Sequence, residues 1–212
     1  MSQGVPYRWA IAEYIRAQAK PVDKYSHQPR LYALACSLAD GQSFDDDVLY
    51  AAAWMHDLGV FVGHRPEEPA ALAQWDHVAY AEKMIPDLLQ KFGYPPEKIP
   101  AVIDAVRSHL PSARPTRIEG NLLRDADILE QLGAIGILRI VSKVGRDTRF
   151  PTHAEAVRAI RRNASELASQ LHSPLARRAA ESRLAAMEAF LKAVKKEAGN
   201  NPFFTEGNEA MA

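Results

Sequence analysis

Val48-Leu49-Tyr50-Ala51-Ala52-Ala53-Trp54-Met55-His56-Asp57 is an apolar run of helical character that ends on two metal-ligand residue types side by side. It follows Asp45-Asp46-Asp47, acids that suit a helix N-terminus, and precedes Gly59, which suits a helix end. The run therefore predicts a largely buried helix with His56 and Asp57 in its last turn, where side chains can point into a cleft. Working outward, His27 lies upstream and Asp125-Ala126-Asp127-Ile128-Leu129 downstream. Two imidazoles and two carboxylates in that order can close around one divalent ion. A mixed nitrogen and oxygen set favours manganese, iron, nickel, cobalt or zinc over calcium, with magnesium also admissible. Such a site points to hydrolysis by an activated water. The His56-Asp57 pair alone carries little weight, because roughly 0.4 such pairs are expected by chance in a chain with 7 His.

The surrounding sequence repeats helical spacing and offers no strand-like alternation. Pro6 to Lys20 carries Trp9, Ile11, Ala12 and Ile15 and breaks at Pro21, which places His27 at the start of the next helix. Leu31, Leu34, Ala35 and Leu38 then form one apolar stripe. Residues 60 to 75 contain Gly63, Pro66 and Pro69 and read as a loop. Asp76 caps a helix that carries His77 and contains Pro86, where a kink is expected. A further helix from about Pro96 closes with His109, and another holds Leu122, Leu123, Ala126 and Leu129 with Asp127 beside that stripe. An acid in that position needs a partner. Gly133-Ala134-Ile135-Gly136 permits close helix packing, Thr152-His153-Ala154-Glu155 is a capping box, and Ser173-Pro174 opens a long helix reaching about Gly199.

At 212 residues and 47% hydrophobic content the chain can bury a sizeable core, so the expectation is an all-α, compact single-domain bundle of eight or nine helices over 1–199, with a loose tail over 200–212. Formal net charge is zero and the cations are spread along the chain, which argues against a nucleic acid polymer or an anionic membrane as partner. A single cysteine allows no internal disulfide, and no leader or membrane-spanning run is evident. A cytoplasmic protein is expected, with a homodimer left open.

The order His27, His56-Asp57, Asp127 resembles the HD superfamily of metal-dependent phosphohydrolases. The run from Leu123-Arg124-Asp125-Ala126-Asp127-Ile128-Leu129-Glu130-Gln131-Leu132-Gly133 to Arg139 is similar to small bacterial members, some of which cleave nucleoside triphosphates to monophosphate and pyrophosphate. The resemblance covers roughly residues 20 to 145. It implies His27, His56, Asp57 and Asp127 as metal ligands, with Asp125 the competing choice, since spacing alone does not separate residues two apart on a helix. It further implies a small phosphate compound, a nucleotide above all, as substrate.

Several other residues enter as candidates. His77 and His109 can bind a second metal, hold substrate phosphate, or cap their helices. Glu67 and Glu68 can orient the water or protonate the leaving group, or simply be solvated. Arg65, Lys83 and Arg139 are candidate phosphate contacts, Arg139 alternatively pairing with a core acid. His64, His153 and His172 are expected at the surface. Two other functional classes stay in view: a paired-iron oxygenase on the same fold, and a non-catalytic nucleotide-binding module.

Overall fold

The computed structural model of the chain describes residues 6–146, 152–199 and 201. The expected tail, 200–212, lies outside the described residues except for Asn201. The described residues form ten α-helices and no strand; the only bridge among them is an isolated pair, Val62 and Arg65.

α3 (Asp46–Met55) decides the architecture of the N-terminal part. Val48, Leu49, Ala51, Ala52, Ala53, Trp54 and Met55 are all buried, so the helix is enclosed nearly all round. Asp45 caps it, its carboxylate accepting from the backbone N–H groups of Asp47 and Val48. The run of alanines lets three neighbours approach closely: α1 (Pro6–Gln18), α2 (His27–Ser37) and α6 (Ile99–Arg107). They contribute Ile11 and Ile15, Leu31 and Ala35, and Val102, Ala105 and Val106 respectively, at helical intervals. Truncating a fully buried leucine such as Leu49 to alanine would cost about 2–5 kcal/mol.

α4 (Pro69–Ala73) is a short helix inside the segment expected to be a loop. Its signal was present in Glu68-Pro69, an N-cap acid followed by proline at the first helical position. It raises the count from the expected eight or nine helices to ten. α5 (His77–Lys91), capped by Asp76, continues through Pro86 and packs on α6. α7 runs over Ile118–Glu130.

The chain's contacts divide it into two compact units, Met1–Asp127 and Ile128–Ala212, with the division falling inside α7. In the second unit α8 (Gly133–Val141), α9 (His153–Glu166) and α10 (Pro174–Ala198) pack on one another. Thr152 and Glu155 form the expected capping box. Arg183 of α10 donates to the Leu129 carbonyl at 2.6 Å, satisfying an oxygen near the end of α7. No helix among the described residues is long and apolar enough to cross a membrane.

Candidate metal centre

Helix ends deliver the site residues of the first unit. His27 is the first residue of α2, His56 caps the C-terminus of α3, His77 is the first residue of α5, and His109 lies two residues beyond α6. Asp127 sits in the last turn of α7. Asp57 differs from the expectation: α3 ends at Met55, so Asp57 lies outside its last turn. It adopts φ −93° and ψ 13° and leads into a 3-10 turn, Leu58–Val60. That conformation, common among site residues, takes its side chain off the helical register.

These residues form two triads that share one carboxylate. His27, His56 and Asp57 have ligand atoms within 4.8 Å of one another, and so do Asp57, His77 and His109. His56 Nε2 stands 3.6 Å from Asp57 Oδ1, and His27 Nε2 stands 4.0 Å from Asp57 Oδ2. The rings of His27, His56, His109 and His77 follow each other edge to face at centroid spacings of 5.3, 5.0 and 6.0 Å. Asp127 Oδ1 lies 3.3 Å from His27 Nε2. Asp125, by contrast, lies beside a buried guanidinium, 3.6 Å from Arg124 Nη1. The two acids thus face different partners.

Backbone carbonyls orient two of the imidazoles. His56 Nδ1 donates to Ala53 O at 3.0 Å and His109 Nδ1 donates to Val106 O at 2.5 Å. A carbonyl only accepts, so in the neutral ring each Nε2 carries the lone pair. His56 Nε2 is buried without a hydrogen-bond partner. A buried acceptor left in that condition is costly, and a cation is the partner the surrounding imidazole and carboxylate donors suit. The residues present therefore fit a divalent ion. Burial lowers the His56 pKa to about 4, which keeps the ring neutral and able to ligate near pH 7. Burial likewise lowers that of His77. Asp57 is held well below the usual carboxylate range: burial opposes its ionisation, but His56, His27 and Lys24 outweigh burial.

Close approaches hold these helix ends in place. A methyl group on Gly59 would meet the His77 carbonyl oxygen at 2.6 Å and its Cα at 2.9 Å, so glycine is what lets the turn after Asp57 sit against the start of α5. The Trp75 indole N–H donates to the Gly59 carbonyl at 2.8 Å and fastens the same junction. Gly120 brings α7 against Ser108, next to His109, where a Cβ would lie 2.7 Å from the Ser108 hydroxyl. Arg124, also on α7, donates to the Leu110 carbonyl at 3.3 Å and to the Pro111 carbonyl, tying the chain after His109 to the helix of Asp127. Neither Lys24 nor these positioning contacts were readable beforehand. Gly59 read only as a helix stop, and Arg124 only as part of a family-like run.

The remaining candidates divide. The Glu68 carboxylate accepts from Ala70 N and Ala71 N as the α4 cap, and those bonds lower its pKa, whereas a general acid is favoured by a raised one. Glu67 is exposed, as is Lys83 on α5, and Arg65 is half-buried. In the second unit, Arg139 Nη1 stands 3.8 Å from the buried Glu130 carboxylate, the alternative in which it meets a core acid. His64 is half-buried between Tyr80 Oη at 2.9 Å and Gln18 Oε1 at 2.8 Å, and so is not a free surface residue; His153 and His172 are exposed.

A search of curated protein sequences finds no match. Solved structures do. An HD-superfamily hydrolase from Bacillus thuringiensis is 22% identical, with 90% of this chain and 94% of that one aligned and a TM-score of 0.63. A predicted HD-superfamily hydrolase from an uncultured Thermotogales bacterium is 24% identical over 93% of this chain and 97% of that one, with a TM-score of 0.62. Bacillus subtilis YpgQ, solved in complex with ADP, is 21% identical over 91% and 98%, with a TM-score of 0.66. At such identities the likeness is one of fold. The family model for the HD domain matches residues 25–132, about half of the 212, and spans every residue of both triads as well as Asp127. On that match and that fold, the chain belongs to the HD-domain family.

Proposed function

We propose that this protein is a metal-dependent phosphohydrolase that cleaves a phosphate ester or anhydride of a nucleotide. The observation that carries the reading is the pair of triads sharing Asp57, set at helix ends with two imidazoles already oriented by backbone carbonyls. His27, His56, Asp57 and Asp127 would hold one divalent ion. Bound there, the ion supplies Lewis acidity and lowers the pKa of a water it holds.

The chain's own groups do the rest. The ionised Asp57 keeps anionic charge at the junction of the triads, and Lys24 balances it on the electrostatic side. His77 and His109 extend the site past Asp57, and an N–H of the His77 ring can hold a phosphate oxygen. Glu67 is retained as donor to the leaving group, since Glu68 is engaged as a cap. YpgQ, a fold relative, was solved with ADP, and that complex supports a nucleotide as the substrate class here.

The second triad favours one further reading, a two-ion site over Asp57, His77 and His109. It also keeps the paired-iron oxygenase in view; counting ions per chain and assaying without oxygen separates the two. A screen of nucleotides and simple phosphate esters with Mn²⁺, Co²⁺, Ni²⁺ and Mg²⁺ tests the proposal. Phosphate or pyrophosphate release that depends on the metal supports it. A metal-loaded protein that releases neither from any compound overturns it.

A further inference from the structure

Helices of one or two turns ordinarily persist in a protein because an apolar face packs against a neighbour. α4 buries none of its residues. Pro69, Ala70, Ala71 and Ala73 are exposed, Leu72 is half-buried, and from Pro69 through Trp75 the chain carries no charged side chain. The Glu68 cap and Pro69 explain where the helix starts. They do not explain an uncharged, largely apolar stretch left at the surface, which is the kind of feature that marks a binding site.

That stretch runs directly into the metal centre. Trp75 follows it, half-buried, and its indole N–H donates to the Gly59 carbonyl at 2.8 Å. Gly59 is two residues past Asp57 and sits against the backbone of His77, so the indole lies beside the carboxylate shared by the two triads and the first imidazole of α5. The Tyr80 ring braces the indole at a centroid spacing of 5.3 Å and an interplanar angle of 48°, and Tyr80 Oη is itself 2.9 Å from His64 Nδ1. The Trp75 backbone N–H donates to the Leu72 carbonyl at 3.2 Å, which sets the two side chains three residues apart on one helical face. A rigid aromatic plane and a leucine thus adjoin a cluster of imidazoles and carboxylates. A ligand that is anionic at one end and a flat ring at the other matches both.

Resting on the hydrolase reading above, we infer that Trp75 and Leu72 form the shelf on which the base of the nucleotide stacks while its phosphates lie at the triads. The indole N–H is already engaged with Gly59, so the shelf reads ring area and not a hydrogen-bonding edge. Purine and pyrimidine nucleotides both bind, purines more tightly, because every base offers a π-face.

The test uses the full-length protein loaded with Mn²⁺ and two ligands that resist cleavage between phosphorus atoms, α,β-methylene-ADP and its baseless counterpart methylenediphosphonate. The nucleotide analogue should bind more tightly and quench tryptophan emission, and methylenediphosphonate should not quench it. Leu72→Gln and Trp75→Leu should each weaken the nucleotide analogue about tenfold or more and change methylenediphosphonate by less than about twofold. Trp75→Phe keeps a ring and loses the N–H, so it should retain most of the nucleotide affinity, lose the quenching and melt earlier. The shelf is overturned if the wild-type protein binds the two ligands equally, if Leu72→Gln leaves the nucleotide analogue unaffected, if the variants weaken both ligands alike, or if quenching persists in Trp75→Phe. Mn²⁺-dependent phosphate release from p-nitrophenyl phosphate reads the hydrolase proposal separately. Release without any preference for the base overturns the shelf alone, and a base preference that falls in Leu72→Gln without any release supports the shelf and overturns hydrolysis.

Discussion

Gly59→Ala is a small change with a large expected effect. The glycine does not adopt a positive φ, so the backbone accepts alanine, and the loss of unfolded-state freedom would by itself stabilise the protein by about 0.4–1 kcal/mol. Against this stands the new methyl group, 2.6 Å from the His77 carbonyl oxygen and 2.9 Å from its Cα. Both are backbone atoms at the first turn of α5, so no side chain can rotate away. Overpacking of this kind costs about 1–3 kcal/mol, which leaves a net destabilisation of roughly 1–2 kcal/mol. In a chain of 212 residues that corresponds to a melting temperature lower by about 2–8 °C. The clash is relieved by moving the start of α5, and His77 moves with it, away from Asp57 and His109. Turnover should fall about 10- to 100-fold, the range typical when support for a metal site is disturbed. Ion binding through His27, His56, Asp57 and Asp127 should survive. Differential scanning calorimetry and steady-state assay of phosphate release read the two effects separately. A variant with unchanged melting temperature would refute the packing argument, and one that melts early yet turns over normally would remove His77 from the working site.

Other perturbations probe different parts of the structure. Asp57→Ala removes the carboxylate common to both triads, so hydrolysis should collapse and metal affinity drop by at least about 100-fold while the circular dichroism stays helical; full activity in this variant would end the metal-site reading. Glu68→Ala removes the α4 cap and should speed hydrogen exchange at Ala70 and Ala71 with turnover intact, whereas a large fall in kcat would assign Glu68 the acid's role. For acid stability, Asp47 has a folded pKa of about 2: partial burial raises it, but hydrogen bonds from Arg8 and Lys98 prevail. Its folded pKa lies below the unfolded one, so its contribution is present above about pH 4 and disappears between pH 4 and 2. Arg8→Ala and Lys98→Ala should therefore move acid unfolding to higher pH; because the group is partly exposed the gain at neutral pH is under about 1 kcal/mol, and an unmoved acid midpoint would count against the cluster.

Much of the fold was legible because a helix buried nearly all round leaves a strong trace. The continuous apolar run 48–55 predicted α3, and the apolar stripes read in α1, α2 and α6 are the faces that cover it. Caps were equally readable at Asp45, Asp76, Thr152 and Ser173, where a side-chain oxygen meets orphan backbone donors. α4 escaped because it buries none of its residues, leaving only its cap and proline as signals. The α3 end was placed too late because a glycine two residues past Asp57 looks like a C-cap. It serves instead a tertiary contact with His77, which no local pattern encodes.

The same distinction decides what could be read of the site. Residue types and their order identified five side chains, His27, His56, Asp57, His77 and His109, that the fold places in two triads, because ligand chemistry is a property of the side chain alone. Which acid of Asp125 and Asp127 faces them depends on where α7 lies, and that is fixed through Arg124 and Gly120, by contacts to Leu110, Pro111 and Ser108 far from either acid in character. Glu67 and Glu68 look equivalent as adjacent acids, yet the proline after the second marks it as the cap of α4. The sequence thus names the atoms suited to a reaction, while backbone contacts between helix ends determine which of them meet.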